Sequence, residues 1–294
     1  MSSTRSAISA LALAAFGFGA TFVVIKEALL EVSPMSFVGW RFLLGALVLA
    51  VLAPPRTAST WRDGILTGVL LFAGYALQTE GLAQTSASNS GLITGLYVVF
   101  TPAVAAAVNR VSIRPVVLGG SLVAFGGLAL LTLGDGFSLA TGDLLTVGCA
   151  IAFAGHIVAL SRVAHRHRVI PLTAVQLLVT AILALAWAVA FGSLEFPVGA
   201  PLLAVVLTGL VVSAGAFLVQ VWAQTVIGPN RTALVLALEP VFAAATAAIV
   251  LGERLTTRGW VGAVLILAAI VSVLTSVDSD DDPLPAAESV SPAH

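Results

Sequence analysis

Residues 76–85 read ALQTEGLAQT, and residues 216–225 read AFLVQVWAQT. At this spacing of about 140 residues Ala76 falls on Ala216, Glu80 on Gln220, and Ala83-Gln84-Thr85 on Ala223-Gln224-Thr225. Both segments end a long apolar run. Pro34 and Pro171 each open such a run, and Pro102 and Pro240 each lie in the middle of one. A single match means little in a chain rich in Ala and Leu. Matches kept in order along the whole chain indicate a duplicated unit.

Composition says where that unit resides. The chain has 294 residues, of which 59% are hydrophobic and 9% charged, with a mean hydropathy of +1.08. So few charges cannot cover the surface of a soluble fold of this length. The reading is an all-α integral membrane protein, because a helix satisfies its own backbone polar groups in lipid. Ten apolar stretches fit as transmembrane helices, near residues 7–29, 34–53, 64–84, 87–108, 115–133, 143–164, 171–192, 201–223, 230–251 and 259–277. The first is too long for a signal peptide and a second follows at once. With a net charge of -1 nothing suggests a nucleic-acid partner, and the lone Cys149 excludes an internal disulfide framework.

Five spans per repeat is an odd number, so the second unit enters the bilayer inverted. The expected organisation is a first five-helix repeat over 1–135, an inverted second over 136–277 and a disordered cytoplasmic tail over 278–294. Arg5, Arg56, Arg62, Arg110, Arg114, Arg162, Arg166, Arg168 and Arg231 fall on one side of this arrangement, against Arg254 and Arg258 on the other. The positive-inside rule then puts both termini in the cytoplasm, in a bacterial-type plasma (inner) membrane.

Several segments carry a family likeness: Ser33-Pro34 with Arg41; Tyr75-Ala76-Leu77-Gln78 through Ala83-Gln84-Thr85 to Thr101-Pro102; and Leu238-Glu239-Pro240 leading to Leu251-Gly252-Glu253-Arg254-Leu255. With these the chain resembles the EamA-type transporters of the drug/metabolite transporter superfamily, most of all the aromatic amino acid exporters of the YddG kind. The resemblance spans residues 7–277. It implies two inverted five-helix repeats and export of amino acids or other small metabolites. The first repeat departs from the second: Thr101-Pro102 and Asn109-Arg110 stand where the second keeps Glu239-Pro240 and Gly252-Glu253.

Polar and aromatic residues inside spans mark the candidate site, since burying them in lipid is costly. The substrate-binding candidates are Tyr75 and Gln78 on span 3, Tyr97 on span 4, Phe153 and His156 on span 6, and Phe217, Gln220 and Trp222 on span 8. Such a lining suits an uncharged or zwitterionic amphipathic molecule; the competing reading is ordinary interhelical packing. His156 could titrate or donate a single hydrogen bond as a neutral imidazole. Glu239, Lys26, Arg41, Pro102 and Pro240 are candidates for gating or coupling. Glu239 could hold a proton or a substrate ammonium, or form an ion pair with Lys26 or Arg41. Lys26 and Arg41, toward the outer ends of spans 1 and 2, are expected to snorkel to the interface; they could also attract a carboxylate. Pro102 and Pro240 are expected to kink their helices.

No Walker-type loop is present, so ATP is not the direct energy source. No nucleophile–base pair is complete, which removes an intramembrane enzyme; no catalytic residue, metal ligand set or cofactor is expected. His165 and His167 beside Arg166 and Arg168 are too few, and too basic in setting, for a cation. No selectivity-filter pattern supports a channel. What remains is an alternating-access secondary transporter for a small molecule, exporting amino acids, with a multidrug or cationic-compound exporter as the alternative. It works in the lipid bilayer as a monomer, with a dimer the other possibility.

Overall fold

The computed structural model describes residues 2–82, 84, 93–132, 141–250 and 256–276, and within these every regular element is helical. The tail 278–294, the segments 85–92 and 251–255, and the side chain of Lys26 lie outside the described residues. The helices are α1 (Ser2–Ala20), α2 (Phe22–Ala28), α3 (Pro34–Leu52), α4 (Ala58–Leu82), α5 (Tyr97–Asn109), α6 (Pro115–Thr132), α7 (Thr141–Val163) and α8 (Val169–Ala190). They continue as α9 (Ala200–Ala223), α10 (Pro229–Leu236), α11 (Glu239–Val250) and α12 (Thr257–Ser276). Pro34 and Pro229 stand at the starts of α3 and α10, where a fixed φ suits the first turn and the missing N–H has no partner to lose.

Five helices are long and apolar enough to cross a membrane: Pro34–Leu52, Thr141–Arg166, Val169–Ala190, Ala200–Ala223 and Thr257–Thr275. Their outward faces are apolar. Val51 and Ile249 are 83% and 84% exposed, which water would not tolerate over so wide a surface and lipid requires.

Backbones approach closely where glycine permits. A Cβ on Gly64 would sit 2.6 Å from Val175, and one on Gly68 would sit 2.8 Å from the Gln176 carbonyl, so α4 lies tight against α8. A Cβ on Gly127 would lie 2.7 Å from the Gly262 carbonyl, which fixes α6 on α12 in the same way. Lipid supplies no hydrophobic drive between helices, so such contact is what holds them. The spacing of Gly64 and Gly68 is thus used within one bundle.

Helix α9 is irregular in its middle: Thr208–Ala216 is π-helical. Its buried positions recur every four residues, at Ala204-Val205, Thr208-Gly209, Val212-Ser213, Ala216-Phe217 and Gln220-Val221. A helix of 3.6 residues per turn would carry that pattern round by about 40° each time. The wider π turn keeps it on one face.

The first and ninth expected spans are each divided. Span 1 breaks at Thr21, whose hydroxyl donates back to the Gly17 and Phe18 carbonyls at 2.9 and 3.1 Å. Span 9 breaks at Ala237 and Leu238, just before Glu239 and Pro240. Pro102 is not at such a break. It lies inside α5, which runs unbroken from Tyr97 to Asn109, and the turn in that segment falls earlier, at Gly95 and Leu96.

Candidate functional site

Arg41 lies two turns into α3 and does not snorkel: it is 2% exposed. The reason is the contact between α3 and the π stretch of α9. A Cβ on Gly45 would lie 3.0 Å from the Ser213 Cβ, and one on Gly209 would lie 3.0 Å from the Arg41 carbonyl. The two backbones are therefore close enough for Arg41 Nε to donate to Ser213 Oγ at 3.1 Å. The guanidinium carbon sits 4.9 Å from the Phe42 ring centroid and 5.3 Å from that of Tyr75, within cation–π range. Among the described residues no carboxylate forms an ion pair with it. Glu239, at the head of α11, interacts with it electrostatically from beyond contact.

Aromatic rings continue inward from Tyr75. Its centroid is 4.9 Å from Phe42, 5.3 Å from Phe153 and 6.3 Å from Phe217. Phe18 of α1 closes on Phe217 at 5.2 Å. Phe153 owes its place to Gly74, where a Cβ would meet the ring at 2.3 Å.

Neutral polar groups are interleaved with the rings. His156 Nε2 donates to Gln176 Oε1 at 3.1 Å, both residues being buried. Gln220 donates to Gln224 Oε1 at 3.3 Å, and Gln224 donates in turn to the Ile157 carbonyl at 2.8 Å and Ser161 Oγ at 2.6 Å. Gln78 reaches Thr94 Oγ1 at 3.5 Å.

Two adjoining cavities open between these groups. The first, about 50 Å³, is lined by Arg41, Tyr75, Gln78 and Glu239 with Phe18, Thr21, Phe37 and other apolar residues. The second, about 60 Å³, is lined by Tyr75, Gln78, Tyr97, Phe153, His156, Phe217, Gln220 and Glu239, together with Phe18 and Thr94. Phe18, Tyr75, Gln78 and Glu239 border both. Each has room for a few waters. Seven of the eight expected substrate-binding residues line the second cavity; Trp222 lines neither, and packs instead against the core. Pro102 and Pro240 also stand outside both linings. Reading the sequence had passed over Phe18, Thr94 and Gln176. Gln176 carried a usable signal as an amide inside the apolar run of α8.

Away from the cavities, the helix bundle is tied at both ends. At one end His167 Nε2 meets Asp63 Oδ2 at 2.8 Å, and Thr60 Oγ1 lies 3.3 Å from His167 Nδ1. At the other end Trp40 Nε1 donates to the Glu195 carbonyl at 2.8 Å. There Ser36 Oγ donates to the Ser193 carbonyl and accepts from the Glu195 N–H, both at 2.9 Å.

Among the described residues, an all-helical bundle with a lipid-type exterior and an aromatic, amide-lined interior defines a multi-pass membrane protein. Comparison with known proteins makes this specific. The family model for the EamA-like transporter family matches twice, over residues 5–133 and 140–275. A protein of Archaeoglobus fulgidus described as an uncharacterized transporter is 33% identical over 264 residues, 90% of this chain and 84% of that one. The chain belongs to the EamA-like transporter family, and it is a transporter rather than an enzyme. A protein of known crystal structure superposes with a TM-score of 0.78 at 20% identity, over 92% of this chain and 97% of the other, a likeness of fold.

Proposed function

We propose that this transporter exports amino acids, aromatic and hydrophobic ones among them, by alternating access across a bacterial-type inner membrane, without ATP. The observation that carries the reading is the second cavity, whose walls are mostly aromatic rings and uncharged polar groups, with the single carboxylate of Glu239 among them. Such walls suit an apolar side chain and offer little to a phosphate or a sugar phosphate. Tyr75, Gln78, Tyr97, Phe153, His156, Phe217 and Gln220 form the binding surface, and Glu239 and Arg41 couple it to the conformational change.

The architecture proposed is ten spans in two inverted repeats, 1–135 and 136–277, with a cytoplasmic tail over 278–294 and both termini cytoplasmic. Two observations support it. The family model matches once in each half. The helix contacts also map onto one another when each span is exchanged for the one five further on. The second span (α3) packs on the seventh (α8), and the fifth (α6) on the tenth (α12). The pairing of α1 with α11 is matched by that of α7 with α5. The breaks at Thr21 and before Glu239 lie beside the cavities and provide points about which the surrounding helices turn.

Counterflow into proteoliposomes tests the reading. Vesicles preloaded with unlabelled phenylalanine are expected to accumulate labelled phenylalanine saturably, and to lose this with Tyr97→Ala or His156→Ala. Accumulation of a cationic dye, with none of phenylalanine, threonine or methionine, would replace the reading with a cationic-compound exporter anchored by Glu239.

A further inference from the structure

We infer that the two adjoining cavities form one bipartite site for an α-amino acid zwitterion: Arg41 takes the carboxylate, Glu239 the ammonium, and the aromatic chamber the side chain. This rests on the amino acid reading above and adds how the substrate is oriented and selected.

Arg41 is a permanent cation placed deep among membrane helices, and among the described residues it has no carboxylate partner. A guanidinium carries five N–H donors in a fixed fork. Ser213 engages Nε, and the side chain lines the first cavity. Leaving that charge unmatched inside the membrane is costly, and a ligand carboxylate is the group whose geometry matches the fork. Phe42 and Tyr75 lie beside the guanidinium, and the Tyr75 hydroxyl also hydrogen-bonds it, without neutralising it.

Glu239 borders both cavities. That position suits the ammonium of an α-amino acid. The α-carbon bears both charges, with the side chain leaving from the same atom, so the ammonium must fall where the charged and apolar chambers meet. The two protein charges must also be near one another without being paired, since a direct ion pair would already satisfy both. Arg41 and Glu239 meet that condition, interacting electrostatically without contact. Beyond Glu239, Tyr97, Phe153, His156 and Phe217 complete the chamber, and Gln176 behind them holds His156 in place. A cation without a carboxylate would leave Arg41 unmatched, and an anion without an ammonium would face Glu239, so each charge excludes a class of competitor.

The test uses the full-length protein, with binding of labelled phenylalanine in detergent and counterflow in proteoliposomes. Competitors are phenylalanine methyl ester, in which the carboxylate is masked, and 3-phenylpropionate, which lacks the ammonium. Each is expected to compete at least tenfold less well than phenylalanine. Arg41→Gln should bring the ester to parity with phenylalanine, and Glu239→Gln should do the same for phenylpropionate. Arg41→Lys keeps the charge and should retain discrimination against the ester; thermal melts select variants that fold as the wild type does. Phenylalanine counterflow in which both analogues compete as well as phenylalanine overturns the inference and leaves the amino acid reading standing. So does an Arg41→Gln protein that folds, binds phenylalanine and still rejects the ester. Absence of counterflow for any amino acid overturns the reading itself, and the inference with it.

Discussion

The two ends of the bundle formed by α3, α4 and α8 are fastened by different chemistry. Where α4 begins, the fastening is the ionisable pair of Asp63 and His167, side chains 8% and 5% exposed. Where α3 begins, the neutral groups of Ser36 and Trp40 bond to the backbone at Ser193 and Glu195. Both ties join the first half of the chain to the second. The difference teaches that the first tie is a pair of side chains that both titrate, while the second runs mostly through uncharged groups and backbone, with the Glu195 carboxylate accepting from the Ser33 N–H beside them. Under the alternating-access proposal opposite ends are released in turn, and ties of unlike chemistry suit that requirement.

Breaking the charged tie should have the largest effect. Asp63→Ala strands His167 and is expected to lower stability by about 2–3 kcal/mol, since a lost charge-assisted bond also leaves its partner unsatisfied. Thermal unfolding in detergent reads this. At the neutral end Ser36→Ala removes a hydroxyl that both donates and accepts, and should cost about 1–2 kcal/mol. Trp40→Phe keeps the ring, loses one bond and should cost about 1 kcal/mol in the same assay.

Protons sharpen the contrast. Burial alone would raise the Asp63 carboxyl, but hydrogen bonds from His167 and Arg62 outweigh it and hold the group below its ordinary 3.8. As pH falls the unfolded chain takes up that proton first. The tie therefore contributes fully above pH 3.8 and is lost as pH drops through the lower native value. Asp63→Ala is expected to flatten that acid limb of the stability curve, while Ser36→Ala leaves its shape unchanged. The smallest effect belongs to Arg62→Ala. Its side chain is 76% exposed beside Asp63, and its removal should cost less than about 0.5 kcal/mol.

Much of this was legible in the sequence because lipid imposes simple rules. Apolar runs of fixed length led to the helices. Polar residues stranded within those runs led to most of the cavity wall. What escaped depends on contacts between distant segments. Arg41 reads as a snorkelling residue when α3 is considered alone, and only the approach of α9 at Gly45 and Gly209 turns it inward. Asp63 was passed over because the charge rule counts cations, and its partner lies 104 residues away. Pro102 and Pro240 look equivalent in sequence. They differ in structure because Pro240 falls in the first turn of α11, where its lost donor has no partner, and Pro102 falls inside α5.

The π stretch of α9 has a consequence for how this chain can vary in length. Each π turn holds one residue more than an α turn. A single-residue deletion within Thr208–Ala216 can therefore be absorbed by relaxing a π turn to an α turn, leaving Phe217, Gln220 and Gln224 facing as before. The same deletion in α8, which is α-helical throughout, would swing every later side chain by about 100° and carry the residues beyond it off the packed face. The stretch is a reserve of chain, from which a residue can be lost without redrawing the cavity wall.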